Sequence, residues 1–177
     1  MSVCKLSNDI LKSNVCGYSL KQITDIYLAN YEDVTGTTLG TEGNTVATIT
    51  LSASAKFYHI EPNKDSASYE DALQEGDAGA KYRTTTLTWS MGGTYDGTQV
   101  DNLDALSLGR FVGVAKLSDG NYVMFGRLTP LEANAASFSS AAEATGFNGI
   151  QVTLTNNTVE SPLPLEDAAI KTVLGQA

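Results

Sequence analysis

The sequence predicts a single, mainly β domain: an antiparallel sandwich or barrel with one flanking helix and a short C-terminal helix. Three observations carry that expectation. Apolar residues alternate with polar ones, mostly Thr and Ser with Lys56 and Gln151, over Ala47–Phe57, Leu87–Met91 and Ile150–Leu154, and period two is the signature of a strand with one buried face. An Asp119-Gly120 pair joins two β-type runs, Phe111–Leu117 and Tyr122–Gly126, as a hairpin turn does. Sixteen glycines against four prolines supply turns without a proline-rich linker, and 177 residues suit one domain.

In chain order, residues 1–20 show no steady period and are expected to form an N-terminal arm. Gln22–Ala29 is β-branched and aromatic enough for a first strand. Glu32–Asn44, rich in Gly, Thr and acid, reads as a loop. Ala47–Phe57 then places Ala47, Ile49, Leu51, Ala53, Ala55 and Phe57 on one phase, as one long strand or as two joined near Ser52–Ser54. The stretch 61–83 reads as a projecting acidic hairpin or loop, with six acids and one lysine between Glu61 and Ala80. Gln99–Leu108 carries Val100, Leu103 and Leu106 at helical spacing and stops at Gly109, a candidate C-terminal cap. The Ala/Ser-rich Asn134–Asn148 reads as a further excursion. Residues 160–177 are expected to form a C-terminal arm containing a helix over Leu165–Leu174, with Glu166 and Asp167 in its first turn.

The functional search comes back nearly empty. A Ser–His–Asp arrangement would have to use His59, the single histidine, at the end of an alternating run where packing or surface roles are commoner. Cys4 and Cys16 with one histidine do not complete a four-ligand zinc site; a disulfide is possible by count, and free thiols suit a chain without a secretion signal. Asp65, Glu70 and Asp71 depart from calcium-loop spacing and read as a solvated charged loop. Gly36 and Gly92-Gly93 suit turns and lack a neighbouring base to hold phosphate. Trp89 with Tyr58, Tyr69, Tyr82 and Tyr95 could line a sugar platform, but Trp89 lies on the apolar phase of its strand, where core packing is the better expectation. No catalytic, cofactor or metal residues are therefore assigned, and no enzyme activity is expected.

A net charge of −9 opposes a nucleic-acid grip; it either serves solubility or repels a passing duplex. The longest apolar run, Phe111–Ala115, is far too short for a membrane helix, and no signal peptide stands out, so a cytoplasm-like compartment is expected. The flat, uncharged Thr/Ser faces are either ordinary solvent faces or surfaces for lining a channel and packing subunits.

Several segments together resemble structural virion proteins of tailed phages and prophages of Bacteroidetes-type hosts: Cys16-Gly17, then ITDIYLAN from Ile23, FYHIEPNKDSASYEDAL from Phe57, KYRTTTLTWSM from Lys81, NLDALSLGRFVGVAKLSDGNYVMFGRL from Asn102, and GFNGIQVTLT from Gly146. In size and element order the chain is most similar to the tail tube family. That resemblance implies a sandwich or barrel with a flanking helix, and hexameric rings whose subunits contribute strands to one inner barrel. It also implies a hairpin reaching between stacked rings, terminal arms that latch neighbours, other tail or neck proteins as partners, and double-stranded DNA as passing cargo. Mapped onto this chain, residues 61–83 would be the inter-ring hairpin, Gln99–Leu108 the flanking helix, and Glu70, Asp71 and Glu75 candidate ring-stacking contacts. Two other readings stay open: a head–tail connector or capsid decoration protein, and a carbohydrate-binding sandwich module.

Overall fold

The computed structural model describes residues 22–77, 79–93, 96–143 and 145–176; the expected N-terminal arm, both cysteines and Tyr95 lie outside them. The described chain is an antiparallel β-sandwich with a third layer, and its sheets do not close into a barrel.

The first sheet holds β5 (Ser68–Glu75), β6 (Lys81–Gly92), β10 (Asn148–Thr158) and β9 (Leu131–Ser140), neighbours in that order. The alternation read from the sequence decides its faces. Leu87, Trp89, Val152 and Leu154 are almost fully buried, and register sets Trp89 opposite Val152 and Leu87 opposite Leu154. The second sheet is built on β7 (Arg110–Leu117), flanked by β1 (Ile23–Asn30) and β8 (Tyr122–Phe125). Short strands β4 (Tyr58–Ile60) and β11 (Leu163–Pro164) edge it. β9 joins the two sheets at a corner, pairing with β7 only at Leu131 and Glu132.

β1 and β7 bury both faces. Ile26, Leu28, Phe111 and Ala115 join the core between the sheets. Tyr27, Ala29, Val112 and Val114 face a second core against β2 (Val34–Leu39), β3 (Val46–Leu51) and α2 (Asp167–Val173). That is why IYLA and FVGVA are continuous apolar runs while β6 and β10 alternate: a strand buried on both sides has no phase left for polar residues.

α1 (Gly97–Leu108) is capped by the Asp96 carboxylate, which accepts from Gln99 N–H at 2.9 Å. It lies along β9 on the core side, with Leu103 and Leu106 packed beside Ala133, Ala136 and Phe138. Gly109 does follow the helix, but its backbone is extended rather than left-handed. A side chain there would land 2.3 Å from the Phe111 ring, so glycine serves close approach. The Asp119-Gly120 turn forms as expected, with Gly120 at φ 89.

Four expectations need correction. Glu32–Asn44 contains β2, a Thr-rich strand paired to β3 whose exposure removes any apolar phase to read. The long alternating run stops at Leu51; Ser54 takes a left-handed φ of 69, and a separate strand resumes at Tyr58. Asn134–Asn148 opens inside β9, whose small residues are weak strand formers and whose bulge opposite Thr153/Leu154 breaks the period. Within 61–83 only 68–83 is a hairpin, since Asn63 is tied to Ser90 and Gly92 at the other end of β6. The 160–177 segment does hold a helix, and it docks: Ala169 and Val173 are buried, and Glu166 N–H donates to the Val46 carbonyl.

Candidate assembly surface

The outer face of the β5–β6–β10–β9 sheet has a composition that calls for an explanation. β6 contributes Tyr82, Thr84, Thr86, Thr88 and Ser90 to it, opposite Asn157, Thr155, Thr153 and Gln151 of β10. The small polar groups bond one another: the Thr88 and Thr153 hydroxyls lie 3.2 Å apart, and Thr84 donates to Asn157 Oδ1 at 2.8 Å. β5 adds Ser68, Glu70, Ala72 and Gln74, and β9 adds Glu132, Ala135 and Ser137. Glu70 and Glu132 are the charged side chains of this face among the described residues, and no Lys or Arg stands on it.

Two sheet edges border this face. Among the described residues β5 pairs with β6 alone, so its far side meets no described strand over eight residues. β9 has no second strand partner beyond Glu132. Neither strand contains a Lys or Pro, and the devices found at these edges among the described residues are the acids of β5 and the β9 bulge opposite Thr153/Leu154. Three successive antiparallel pairings separate them, so β5 and β9 run in opposite directions. A β9 brought beside β5 by a rotation that keeps the sheet's orientation would therefore pair antiparallel.

The three candidate contacts separate. Glu70 and Glu75 are exposed, on opposite sides of β5. Asp71 is held by a bidentate Arg83 fork, with Nε at 2.8 and 2.9 Å and Nη2 at 2.6 Å. Its side chain is 13% exposed, so it serves the hairpin's own stability. The hydrogen bond from Asp71 outweighs burial and holds the Arg83 pKa above its ordinary value.

His59 makes a cluster that the sequence did not announce. Its ring stacks on Tyr27 with centroids 4.8 Å apart, and Nε2 lies 2.8 Å from Asp25 Oδ1. Lys116 Nζ sits 3.3 Å from the other Asp25 oxygen, and Thr24 donates to it at 2.9 Å. Burial raises the Asp25 pKa, but the bonds from His59, Thr24 and Lys116 more than offset that and hold it below its ordinary 3.8. Beside the cluster is a half-open cavity of about 350 Å³ walled by Tyr27, Lys56, Phe57, Val173 and Leu174. No Ser, Thr or Cys hydroxyl or thiol is bonded to His59 among the described residues, which therefore supply the dyad with no adjacent nucleophile. No group of three or more His, Cys, Asp and Glu among them is placed to hold a metal.

Trp89 is 1% exposed, which removes the main ring from any sugar platform. Asp65 sits in the 61–67 loop at a left-handed φ of 58, and no helix among the described residues is long and apolar enough to cross a membrane. No protein-family model and no curated protein matches this chain.

Proposed function

We propose that the chain is a self-assembling structural subunit, the repeating unit of a phage tail tube. The observation that carries this reading is one sheet with a flat hydroxyl and amide face bordered by two open edges of opposite polarity. Pairing β5 of one copy to β9 of the next satisfies both rows of free backbone groups, a head-to-tail contact that closes into a ring. Charge favours that hetero-pairing over like with like. Antiparallel β5 against β5 would bring the exposed carboxylates of Glu70 and Glu75 towards their counterparts, whereas β9 carries Glu132 alone.

In such a ring the Thr/Ser face lines the channel. Without Lys or Arg it offers no grip on phosphate, and Glu70 and Glu132 repel a duplex passing through. The subunit would thus work in the virion tail, after assembly in the host cytoplasm, beside other tail or neck proteins.

The test is direct: purify the chain, measure mass by light scattering across concentration, and examine it by negative-stain electron microscopy. Hollow tubes support the reading. Rings that never stack favour a head–tail connector, and a monodisperse monomer at high concentration overturns self-assembly.

A further inference from the structure

Two of the most exposed large apolar side chains lie on opposite edges of the first sheet, yet on the same side of it. Leu73 of β5 is 61% exposed, and Leu108, at the end of α1, is 87% exposed. Leu73 lies opposite Arg83, which lies opposite Thr158, on the phase that faces the core side of the sheet. α1 lies on that same side, behind β9. Both leucines also sit towards the end of the sheet where the β5–β6 hairpin turns, because α1 ends immediately before Arg110, which pairs with Glu132 at that end.

The exposed stripe of α1 continues this match. Asp101, Asp104 and Leu108, at i, i+3 and i+7, share one helix face, and all three are exposed. The two carboxylates enter no ion pair among the described residues. Lys81, on the core side of the hairpin opposite Glu75, likewise pairs with no carboxylate there. One edge therefore offers a leucine with two acids, and the other offers a leucine beside Lys81, which stands opposite Glu75.

We propose that α1 of one copy clasps the β5–β6 hairpin of the next from behind the strand seam, with Leu108 against Leu73 and Asp101 and Asp104 facing Lys81. This rests on the β5-to-β9 pairing proposed above. Bringing β9 of the second copy to β5 carries its α1, fixed on the core side of β9, onto the side of β5 where Leu73 stands. The occupant is a second copy because the two apolar halves of the contact, Leu108 and Leu73, are on one chain, at opposite edges and on the same side of the sheet, with Lys81 the base within reach of Asp101 and Asp104.

Cysteine pairs separate the clasp from the seam. On a Cys4→Ser/Cys16→Ser background, Leu108→Cys is combined in turn with Leu73→Cys and Glu75→Cys, and a seam control combines Ala72→Cys with Ser137→Cys. Under mild oxidation both sets are expected to give intermolecular ladders, while each single variant gives at most a dimer. Seam ladders without clasp ladders overturn the clasp and leave the edge pairing standing. Neither ladder, with a monomer by light scattering, overturns both. As a second measurement, Leu108→Lys should leave the urea midpoint of the monomer unchanged and raise the concentration for half-assembly by about tenfold, as loss of a central apolar contact does. Assembly at the wild-type concentration would overturn the clasp.

Discussion

β7 and β10 are both long central strands, yet they teach opposite lessons about what a strand is for. β7 is buried on both faces, with Val112 and Val114 in one core and Phe111 and Ala115 in the other. β10 buries Ile150, Val152 and Leu154 but turns Gln151, Thr153 and Thr155 outward. The first strand is consumed in holding the sandwich to its third layer. The second leaves half its surface free, and that surface lies between the two open edges. Stability is thus assigned to β7 and to one face of β10, and the other face of β10 is left for the assembly proposed above.

The largest expected effect falls where burial is two-sided. Val114→Asp places a carboxylate at a fully buried site and should abolish the cooperative urea transition, whereas Thr153→Asp on the outer face should leave it intact. If both variants unfold, the contrast between the strands is lost.

A smaller, graded form of the comparison uses truncations. Leu154→Ala, at 0% exposure, should cost about 2–5 kcal/mol of unfolding free energy. Its neighbour Thr153→Ala should stay within about 0.5 kcal/mol, although it removes the hydroxyl contact to Thr88. Chemical denaturation of the two variants side by side gives the ratio.

Ion pairs sharpen the distinction between the inside and the rim. Arg127 binds Glu160 through both Nε and Nη2 with side chains 17% and 19% exposed, and the bond from Glu160 raises the Arg127 pKa. Glu160→Gln should cost about 1–3 kcal/mol, because it leaves a largely buried guanidinium without its charge partner. Breaking the exposed Glu32–Arg110 pair by Glu32→Gln should change stability by about 0–1 kcal/mol, and less in high salt.

The smallest effect is a pH dependence on the second sheet. Asp25 has a folded pKa below its ordinary 3.8, so between those two values the unfolded chain binds more protons and stability rises with pH. Its contribution is present above the ordinary carboxylate value and disappears as pH falls through the depressed one. Asp25→Asn should flatten that acid limb of the urea midpoint plotted against pH.

Residue order by itself determined the one-sided strands. Leu87-Thr88-Trp89 and Val152-Thr153-Leu154 specify which side is buried, because period two maps directly onto the two faces of a pleated strand. It also determined the Asp119-Gly120 hairpin and the place of both helices, though not their caps: Gly109 is extended and it is Asp96 that caps α1. Tertiary structure alone decided β2, whose Val and Thr suit a strand but show no buried alternation, and β9, whose Ala and Ser are weak strand formers; pairing with β3 and β10 makes them strands. It alone removed Asp71 from the candidate contacts, since Arg83 twelve residues away claims its carboxylate. It alone gathered His59, Asp25 and Lys116, which lie on three strands distant in sequence. The open edges belong with these. A free N–H is the absence of a neighbour, and neighbours are fixed by long-range pairing that no local pattern encodes.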